Sequence, residues 1–229
     1  MGKAIFILSG AGLSAESGLK TFRAEDGLWE EHRVEDVATP EAFARDPALV
    51  QRFYNERRAG VAAAQPNAAH EALARLQRDH GAPVHLVTQN IDDLLERGGA
   101  RDVIHMHGEV NSALCARCGH RWEAPAVMVV GEVCVACGAP TARPDIVWFG
   151  EIPYHMEAIG AALEESDLFV AIGTSGLVYP AAGFRQMAQQ HGIATLEINL
   201  AASGARFDDV REGAASRLVP DWVEEIIGG

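Results

Sequence analysis

The chain has 229 residues, a hydrophobic content of 48% and a formal net charge of −13. This length fits one large domain or a domain with a small insert, and the apolar content is ample for a core. The acidic charge argues against binding to a nucleic-acid backbone and favours a cationic partner, such as a lysine-bearing protein segment. No apolar run approaches a membrane span and no secretory signal is recognisable, so we expect a cytoplasmic protein without membrane partners.

The first predicted element is a strand over residues 4–8, and a glycine-rich turn follows it. Residues 10–15 match G-x-G-x-x-A, a form of the dinucleotide fingerprint whose glycines let the backbone approach a phosphate at a helix start. An ordinary tight turn is the alternative, because no second strand ends in the acidic residue that binds ribose in dehydrogenases. Residues 22–39 are predicted to form a long polar loop, which in a compact domain is usually functional.

Beyond residue 39, helical and strand patterns alternate, which predicts a parallel sheet with right-handed crossovers. The predicted helices span residues 40–44, 47–58, 67–81, 93–97, 153–166, 179–192 and 213–227. The predicted strands span residues 84–88, 103–109, 146–149, 167–173 and 194–199. Polar residues crowd the end of the strand at 84–88, and open α/β sheets bind their ligands at such carboxyl ends.

Two Cys-x-x-Cys pairs, separated by fifteen residues, lie in the middle of the chain. Their members are Cys115, Cys118, Cys134 and Cys137. This spacing is typical of a zinc ribbon, in which each pair directs two thiolates to one tetrahedral ion, and redox cysteines are the alternative. Four thiolates leave no open coordination position, so we expect a structural zinc that folds a short insert.

Six sequence blocks occur in a defined order over nearly the whole chain. They are GAGLSAESGLKTFR from Gly10, TQNID from Thr88, HG from His107, the paired cysteines, FGE from Phe149 and GTS from Gly173. This succession resembles the sirtuin family of NAD-dependent protein-lysine deacylases. The resemblance implies an α/β fold, with a Rossmann-like large domain over residues 1–34, 84–108 and 145–229. It further implies a small domain with a helical part at 35–83 and a zinc-binding part at 109–144.

The resemblance also implies a reaction. NAD would be consumed as a co-substrate, and an acyl-lysine protein or peptide would give nicotinamide, O-acyl-ADP-ribose and free lysine. His107 would be the general base that deprotonates a ribose hydroxyl, a task for a group that titrates near neutral pH. Asn90 and Asp92 would assist at the nicotinamide and ribose pocket, whereas His105 is interpreted as a packing residue.

The residues that the resemblance assigns to NAD binding come from six segments. They are Gly10, Ala11, Gly12, Ser14, Phe22, Arg23, Gln89, Asn90, Ile91, Asp92, Gly173, Thr174, Ser175, Asn199, Leu200, Ala201 and Ala215. Phe22 and Arg23 would begin a loop that covers the nicotinamide ribose, and Ala215 matches the family's adenine contact only loosely. Val147, Phe149, Gly150 and Glu151 would offer a strand edge to the substrate peptide, a mode that tolerates many sequences.

Tyr54 and Arg57 share one face of a predicted helix, because they are three residues apart. A phenol beside a guanidinium can clamp a carboxylate, and a solvated helix end is the alternative. The pair resembles the mark of the sirtuin class that removes succinyl and malonyl groups, and Ala38 matches the small residue that widens its acyl pocket. We therefore predict activity on succinyl- and malonyl-lysine with some deacetylation.

Three other functions compete with deacylation. Protein ADP-ribosyl transfer would use the same NAD site with an external nucleophile. A non-catalytic NAD-binding module is disfavoured because His107, Asn90 and Asp92 are all present. An oxidoreductase would change the absorbance of the nicotinamide ring, which we do not expect.

Overall fold

The computed structural model of the chain describes residues 2–20, 28–29, 32–176 and 179–228. Its strands are β1 (Ile5–Ser9), β2 (Leu28–Trp29), β3 (His32–Arg33), β4 (Val84–Thr88), β5 (Ile104–His105), β6 (Gly108–Cys115), β7 (Arg121–Glu123), β8 (Ala142–Ile146), β9 (Leu168–Ile172), β10 (Ala194–Asn199) and β11 (Asp209–Glu212). Its α-helices are α1 (Val34–Val37), α2 (Pro40–Arg45), α3 (Pro47–Ala63), α4 (Ala68–Asp79), α5 (Leu94–Arg97), α6 (Met156–Glu164), α7 (Ala181–Gln190) and α8 (Ala215–Gly228). No helix among the described residues is long and apolar enough to cross a membrane.

The main sheet has the strand order β11-β10-β9-β1-β4-β5 within the described chain, and its neighbouring strands run parallel. Every residue of the central strand β1 is buried, because helices cover both faces of the sheet. Ile5 and Ile7 pack in the core shared with α4 and α8, whereas Phe6 and Leu8 face α6 and α7. The predicted parallel α/β sheet is therefore confirmed.

A second sheet has the order β7-β6-β8 and is antiparallel. Helices α1 to α3 share a hydrophobic core with it, including Phe53 and Tyr54 from α3 and Val110 from β6. The buried Arg58 side chain strengthens this contact, since its Nε–H donates to the Val110 carbonyl at 2.9 Å. The boundaries predicted for the two parts of the small domain stay a prediction.

Several predicted elements differ from the structure. The strand predicted at 146–149 is wrong: β8 ends at Ile146, and the N–H groups of Val147 and Phe149 bond to the His107 and Ala38 carbonyls. The glycine-rich turn opens into two single-turn 3₁₀ helices, Ala11–Leu13 and Ala15–Ser17, and no α-helix begins there.

Other predicted elements differ from the structure in length or in content. Helix α3 continues five residues beyond its predicted end at 58, to Ala63. The described part of the loop predicted at 22–39 contains β2, β3 and α1. Strands β7 and β11 and most of β6 were not predicted, because their sequences lack a continuous apolar run and their pairing is decided by distant partners.

Candidate active site

A cavity of about 1110 Å³ lies beyond the carboxyl ends of β1, β4, β9 and β10. It collects every predicted NAD-site and substrate-site residue that the structure describes. From the predicted NAD site, it is lined by Gly10, Ala11, Gly12, Ser14, Gln89, Asn90, Ile91, Asp92, Gly173, Thr174, Ser175, Asn199, Leu200, Ala201 and Ala215. From the predicted substrate site, it is lined by Ala38, Tyr54, Arg57, Val147, Phe149, Gly150 and Glu151, and His107 also faces it. Phe22 and Arg23 lie outside the described residues.

Three glycines bring the β1 and β9 loops into backbone contact at the cavity wall. The Gly12 N–H donates to the Gly173 carbonyl at 2.8 Å, and a Cβ on Gly12 would lie 2.6 Å from the Gly173 Cα. Gly173 has a φ of 59°, in the left-handed region that favours glycine. A Cβ on Gly10 would likewise lie 2.8 Å from the Gly173 carbonyl oxygen. Glycine at these positions therefore lets the two loops pack backbone against backbone at the cavity wall.

Ser14 connects the glycine-rich turn to the loop after β4. The Asn90 side-chain amide donates to the Ser14 Oγ at 3.1 Å, and the His70 Nε2 lies 3.3 Å from the same oxygen. The Asn67 N–H donates to the His70 Nδ1 at 3.1 Å, so the His70 proton resides on Nε2 and is donated to Ser14. Burial lowers the pKa of His70 to about 4, and the charge of Glu96 opposes that shift.

His70 was not predicted as a site residue. The signal that could have found it is local: Asn67 and His70 form a capping box at the start of α4. That motif fixes the ring direction, but only the tertiary structure brings it to Ser14. The helix predicted at 67–81 is confirmed as α4, but the sequence did not predict its contact with Ser14.

His107 is oriented by the backbone of the same loop. Its Nδ1 lies 3.1 Å from the Gln89 carbonyl oxygen, which can only accept, so Nδ1 carries the proton and Nε2 is left with a lone pair. Burial lowers the pKa of His107, and the bond to the Gln89 carbonyl only partly opposes this. A neutral imidazole with a free Nε2 at the cavity wall can act as a general base near neutral pH.

Asp92 lies beside this histidine loop and is buried. Burial raises the pKa of Asp92, while the Leu94 N–H, the Ser14 hydroxyl and the charge of His105 oppose the rise. Gly108, directly after His107, has a φ of 82°, and a Cβ there would collide with the Asp145 carbonyl oxygen. Gly108, the first residue of β6, therefore packs directly against the backbone of β8.

The side-chain amides of Gln89 and Asn199 both donate hydrogen bonds to Thr174, in the loop after β9. The Gln89 Nε2 donates to the Thr174 Oγ1 at 2.9 Å, and the Asn199 Nδ2 donates to the Thr174 carbonyl at 2.9 Å. Leu200 projects into solvent, whereas Ala215 is buried where α8 begins. These contacts align three strand ends along one wall.

Tyr54, Arg57 and Ala38 form the opposite end of the cavity. The Tyr54 side chain is fully buried at the inner wall, and its oxygen accepts a hydrogen bond from the Trp148 indole N–H at 3.1 Å. Burial raises the pKa of the Tyr54 phenol, against opposing effects of Trp148, Arg143 and Arg57. The Arg57 guanidinium lies 4.9 Å from the centre of the Phe53 ring. The predicted phenol and guanidinium therefore do face one space.

Residues 147–151 border this end without forming a strand. Glu151 accepts two hydrogen bonds from the Arg143 guanidinium, at 2.7 and 2.8 Å, and one from the Trp148 N–H at 2.8 Å. Arg143 also stacks 3.7 Å from the Trp148 ring centre. Glu151 thus holds the segment in shape, and Phe149 is left 44% exposed at the cavity mouth.

The four cysteines converge beside the second sheet, with Cys115 at the end of β6 and the other three in loops. Their sulfur atoms all lie within 4.8 Å of one another, with Cys115 and Cys137 at 3.6 Å and Cys118 and Cys134 at 3.8 Å. Four sulfurs bound at about 2.3 Å to one tetrahedral zinc lie about 3.8 Å apart, so the donor set fits that ion. The thiols are not paired as disulfides.

A parallel sheet with a glycine-rich turn, a cavity at its switch point and a tetrathiolate module define a nucleotide-binding α/β protein with a structural metal centre. The chain belongs to the Sir2 family, whose sequence model matches residues 10–180.

This chain spans most of the length of the relatives it matches. An NAD-dependent protein deacylase of Vibrio parahaemolyticus serotype O3:K6 is 55% identical over 228 residues, covering 97% of this chain and 95% of the relative. A solved Sir2 homolog–NAD complex superposes with a TM-score of 0.89 at 39% identity, covering 98% of this chain and 90% of the other. A Sir2–p53 peptide–NAD⁺ structure gives 0.82 at 26% identity, covering 98% and 93%.

Proposed function

We propose that this chain is an NAD-dependent protein-lysine deacylase that removes succinyl, malonyl and acetyl groups. The observation that carries the proposal is one cavity in which His107 lies with a glycine-walled nucleotide end and a cationic acyl end. The Vibrio relative is named for deacylation, and solved relatives hold NAD and a peptide. The products would be nicotinamide, O-acyl-ADP-ribose and the free lysine.

NAD would enter as a co-substrate along the wall formed by the loops after β1, β9 and β10. Gly10, Ala11 and Gly12 would cradle its pyrophosphate together with Ser14, and Asn199 would reach the adenine ribose. Asn90 and Asp92 would bind the nicotinamide ribose and carboxamide. The Asn90 side chain is held by Ser14 and the Asp92 side chain by the Leu94 N–H, so both side chains are already positioned before NAD binds.

The proton transfer would fall to His107. Its Nδ1–H donates to the Gln89 carbonyl, so the Nε2 lone pair is available to take a proton from a ribose hydroxyl. That hydroxyl would then attack the carbon of the acyl group, after the acyl oxygen has displaced nicotinamide. The zinc held by the four cysteines would be structural, because four thiolates leave no position for water or substrate.

The proposed preference for succinyl and malonyl groups rests on the attraction between their carboxylate and the Arg57 guanidinium. A succinyl or malonyl group ends in a carboxylate, and a guanidinium with a phenol hydroxyl can bind it through charge-assisted hydrogen bonds. Ala38, a small side chain at the same end, leaves room for the longer acyl chain. An acetyl group lacks the carboxylate and would use the remainder of the pocket.

Replacing Arg57 with Met tests this preference, and replacing it with Lys provides the matched control. On one peptide carrying acetyl-, malonyl- or succinyl-lysine, Arg57→Met should lower kcat/KM for the two acidic acyl groups by about 10- to 100-fold. Deacetylation should change by less than about threefold, and Arg57→Lys should lose less of the acidic activity because it keeps the charge. Equal loss on all three peptides would refute the acyl assignment.

The competing ADP-ribosyl transfer is separated by the fate of labelled NAD. Label recovered in a small acyl ester supports deacylation, and label attached to protein supports transfer. We further infer a cytoplasmic enzyme acting on acyl-lysine proteins without nucleic-acid or membrane partners, which the net charge of −13 supports.

A further inference from the structure

His105 lies on β5, two residues before His107, and its side chain is 6% exposed. Its Nδ1 is 3.2 Å from the Asn90 carbonyl oxygen, and its Nε2 is 2.8 Å from the Glu96 Oε1 on α5. The sequence favoured a packing role for this ring. The partners of its two nitrogens give it a polar role instead.

Both partners of His105 are hydrogen-bond acceptors. A backbone carbonyl offers only lone pairs, and so does an ionised carboxylate. A neutral imidazole carries one N–H and could satisfy only one of them, whereas an imidazolium carries two. The Glu96 side chain is 39% exposed, so its carboxylate remains in contact with water. Two acceptors at hydrogen-bond distance therefore favour protonation of both ring nitrogens of His105.

The charges around the ring agree with this protonation state. Carboxylates act on it from three neighbouring elements: Glu96 on α5, Glu109 on β6 and Asp92 in the loop after β4. Burial alone would lower the pKa of His105, but the hydrogen bond and charge of Glu96, the charge of Glu109 and the Asn90 carbonyl raise it above its ordinary value. The same positive charge opposes the rise in the pKa of Asp92 that burial causes.

His105 and His107 hold successive carbonyls of one loop in opposite protonation states. The neutral His107 donates to the Gln89 carbonyl, and His105 donates to the next carbonyl, that of Asn90. We propose that His105 is a positioning residue whose imidazolium form fixes the loop at Gln89–Asp92. Its role in turnover rests on the proposed deacylase function, whereas its protonation state does not.

This arrangement predicts a bell-shaped pH profile. Activity requires a neutral His107, which gives the acid limb, and a protonated His105, which gives the alkaline limb. Because a raised pKa belongs to the folded His105, its contribution is present at low pH and is lost as the pH rises through that pKa.

Glu96→Gln tests the proposal, and Glu109→Gln is the matched control. Gln at position 96 still accepts the Nε2–H but carries no charge, so the alkaline limb of kcat/KM for an acetyl peptide should move to lower pH while the acid limb stays. Glu109→Gln removes a carboxylate that only acts at longer range, so its alkaline limb should move less. An alkaline limb that Glu96→Gln leaves in place would overturn the positioning role.

A second measurement reads the protonation state without turnover. In ¹⁵N-histidine-labelled protein at pH 7, the two His105 ring nitrogens should have nearly equal chemical shifts, as in imidazolium, and those of His107 should differ widely. A neutral His105 in the wild-type spectrum would overturn the inference. If no acyl peptide is turned over while the spectrum shows an imidazolium, the proposed deacylase function fails and the protonation of His105 stands.

Discussion

Replacing Tyr54 with Phe isolates one oxygen atom in the acyl end of the cavity. The Trp148 indole N–H can only donate, so the Tyr54 oxygen accepts from it and the phenol hydrogen remains to be donated to a second acceptor. We expect that acceptor to be the carboxylate of a succinyl or malonyl group. Phe keeps the edge-on ring contacts with Phe53 and Trp29, at 5.1 and 6.2 Å between ring centres.

Two effects of this substitution can be estimated. The Trp148 side chain is 2% exposed, so its N–H would lose its partner in the interior, which lowers the free energy of unfolding by about 1–3 kcal/mol. A hydrogen bond to a charged group contributes about 1.5–3 kcal/mol, which corresponds to a loss of about 10- to 150-fold in kcat/KM for the succinyl peptide. The acetyl peptide has no carboxylate and should lose less than about threefold.

The assay is steady-state kinetics on one peptide sequence with acetyl- and succinyl-lysine, together with denaturant unfolding of both proteins. Trp148→Phe is the control, since it removes the indole donor and keeps the phenol hydroxyl, so the succinyl-to-acetyl ratio should stay within about threefold of wild type. The reasoning is refuted if Tyr54→Phe lowers both activities equally, or if it changes selectivity no more than Trp148→Phe does.

Two further predictions concern Gly12 at the cavity wall and the buried His70. Gly12→Ala should abolish measurable NAD binding by calorimetry, because its Cβ would meet the Gly173 backbone at 2.6 Å, while Gly160→Ala in α6, with open space around it, should leave the affinity unchanged. Binding by Gly12→Ala at wild-type affinity would contradict the close approach of the two loops. The unfolding free energy should fall by up to about 3 kcal/mol as the pH drops from about 6.5 to about 4, because the unfolded chain protonates His70 before the folded chain does. His70→Gln should lose that part of the pH dependence, and an unchanged slope in the variant would show that other groups cause it.

The sequence predicted an element correctly where the pattern that defines it lies within one short segment. The buried strands β1 and β9 are nearly continuous apolar runs, and such runs indicate strands covered on both faces; β4 and β10 are short, buried segments rich in β-branched and apolar residues. The cysteine spacing predicted a four-thiolate cluster, because two short knuckles bring their thiols together almost independently of the surrounding fold.

Signals that depend on a distant partner were missed or misjudged. The apolar residues at 146–149 look like a strand, but Val147 and Phe149 donate to carbonyls of His107 and Ala38, and the sequence alone does not specify those distant partners. Strand β11 lies at the edge of the main sheet, and its residues are largely exposed, so it has no apolar period.

The sequence by itself determined which residues follow each strand, and parallel pairing then brings Ser14, Asn90, Thr174 and Asn199 to one edge of the sheet. Only the tertiary structure decided what those residues touch. Whether His105 packs or carries charge depends on the carbonyl of Asn90 and on a carboxylate from α5, and hydrogen-bond partners determine the protonation state of an imidazole. Residue type and spacing therefore predict the chemistry available in this protein, whereas long-range contacts decide the protonation and orientation in which it is used.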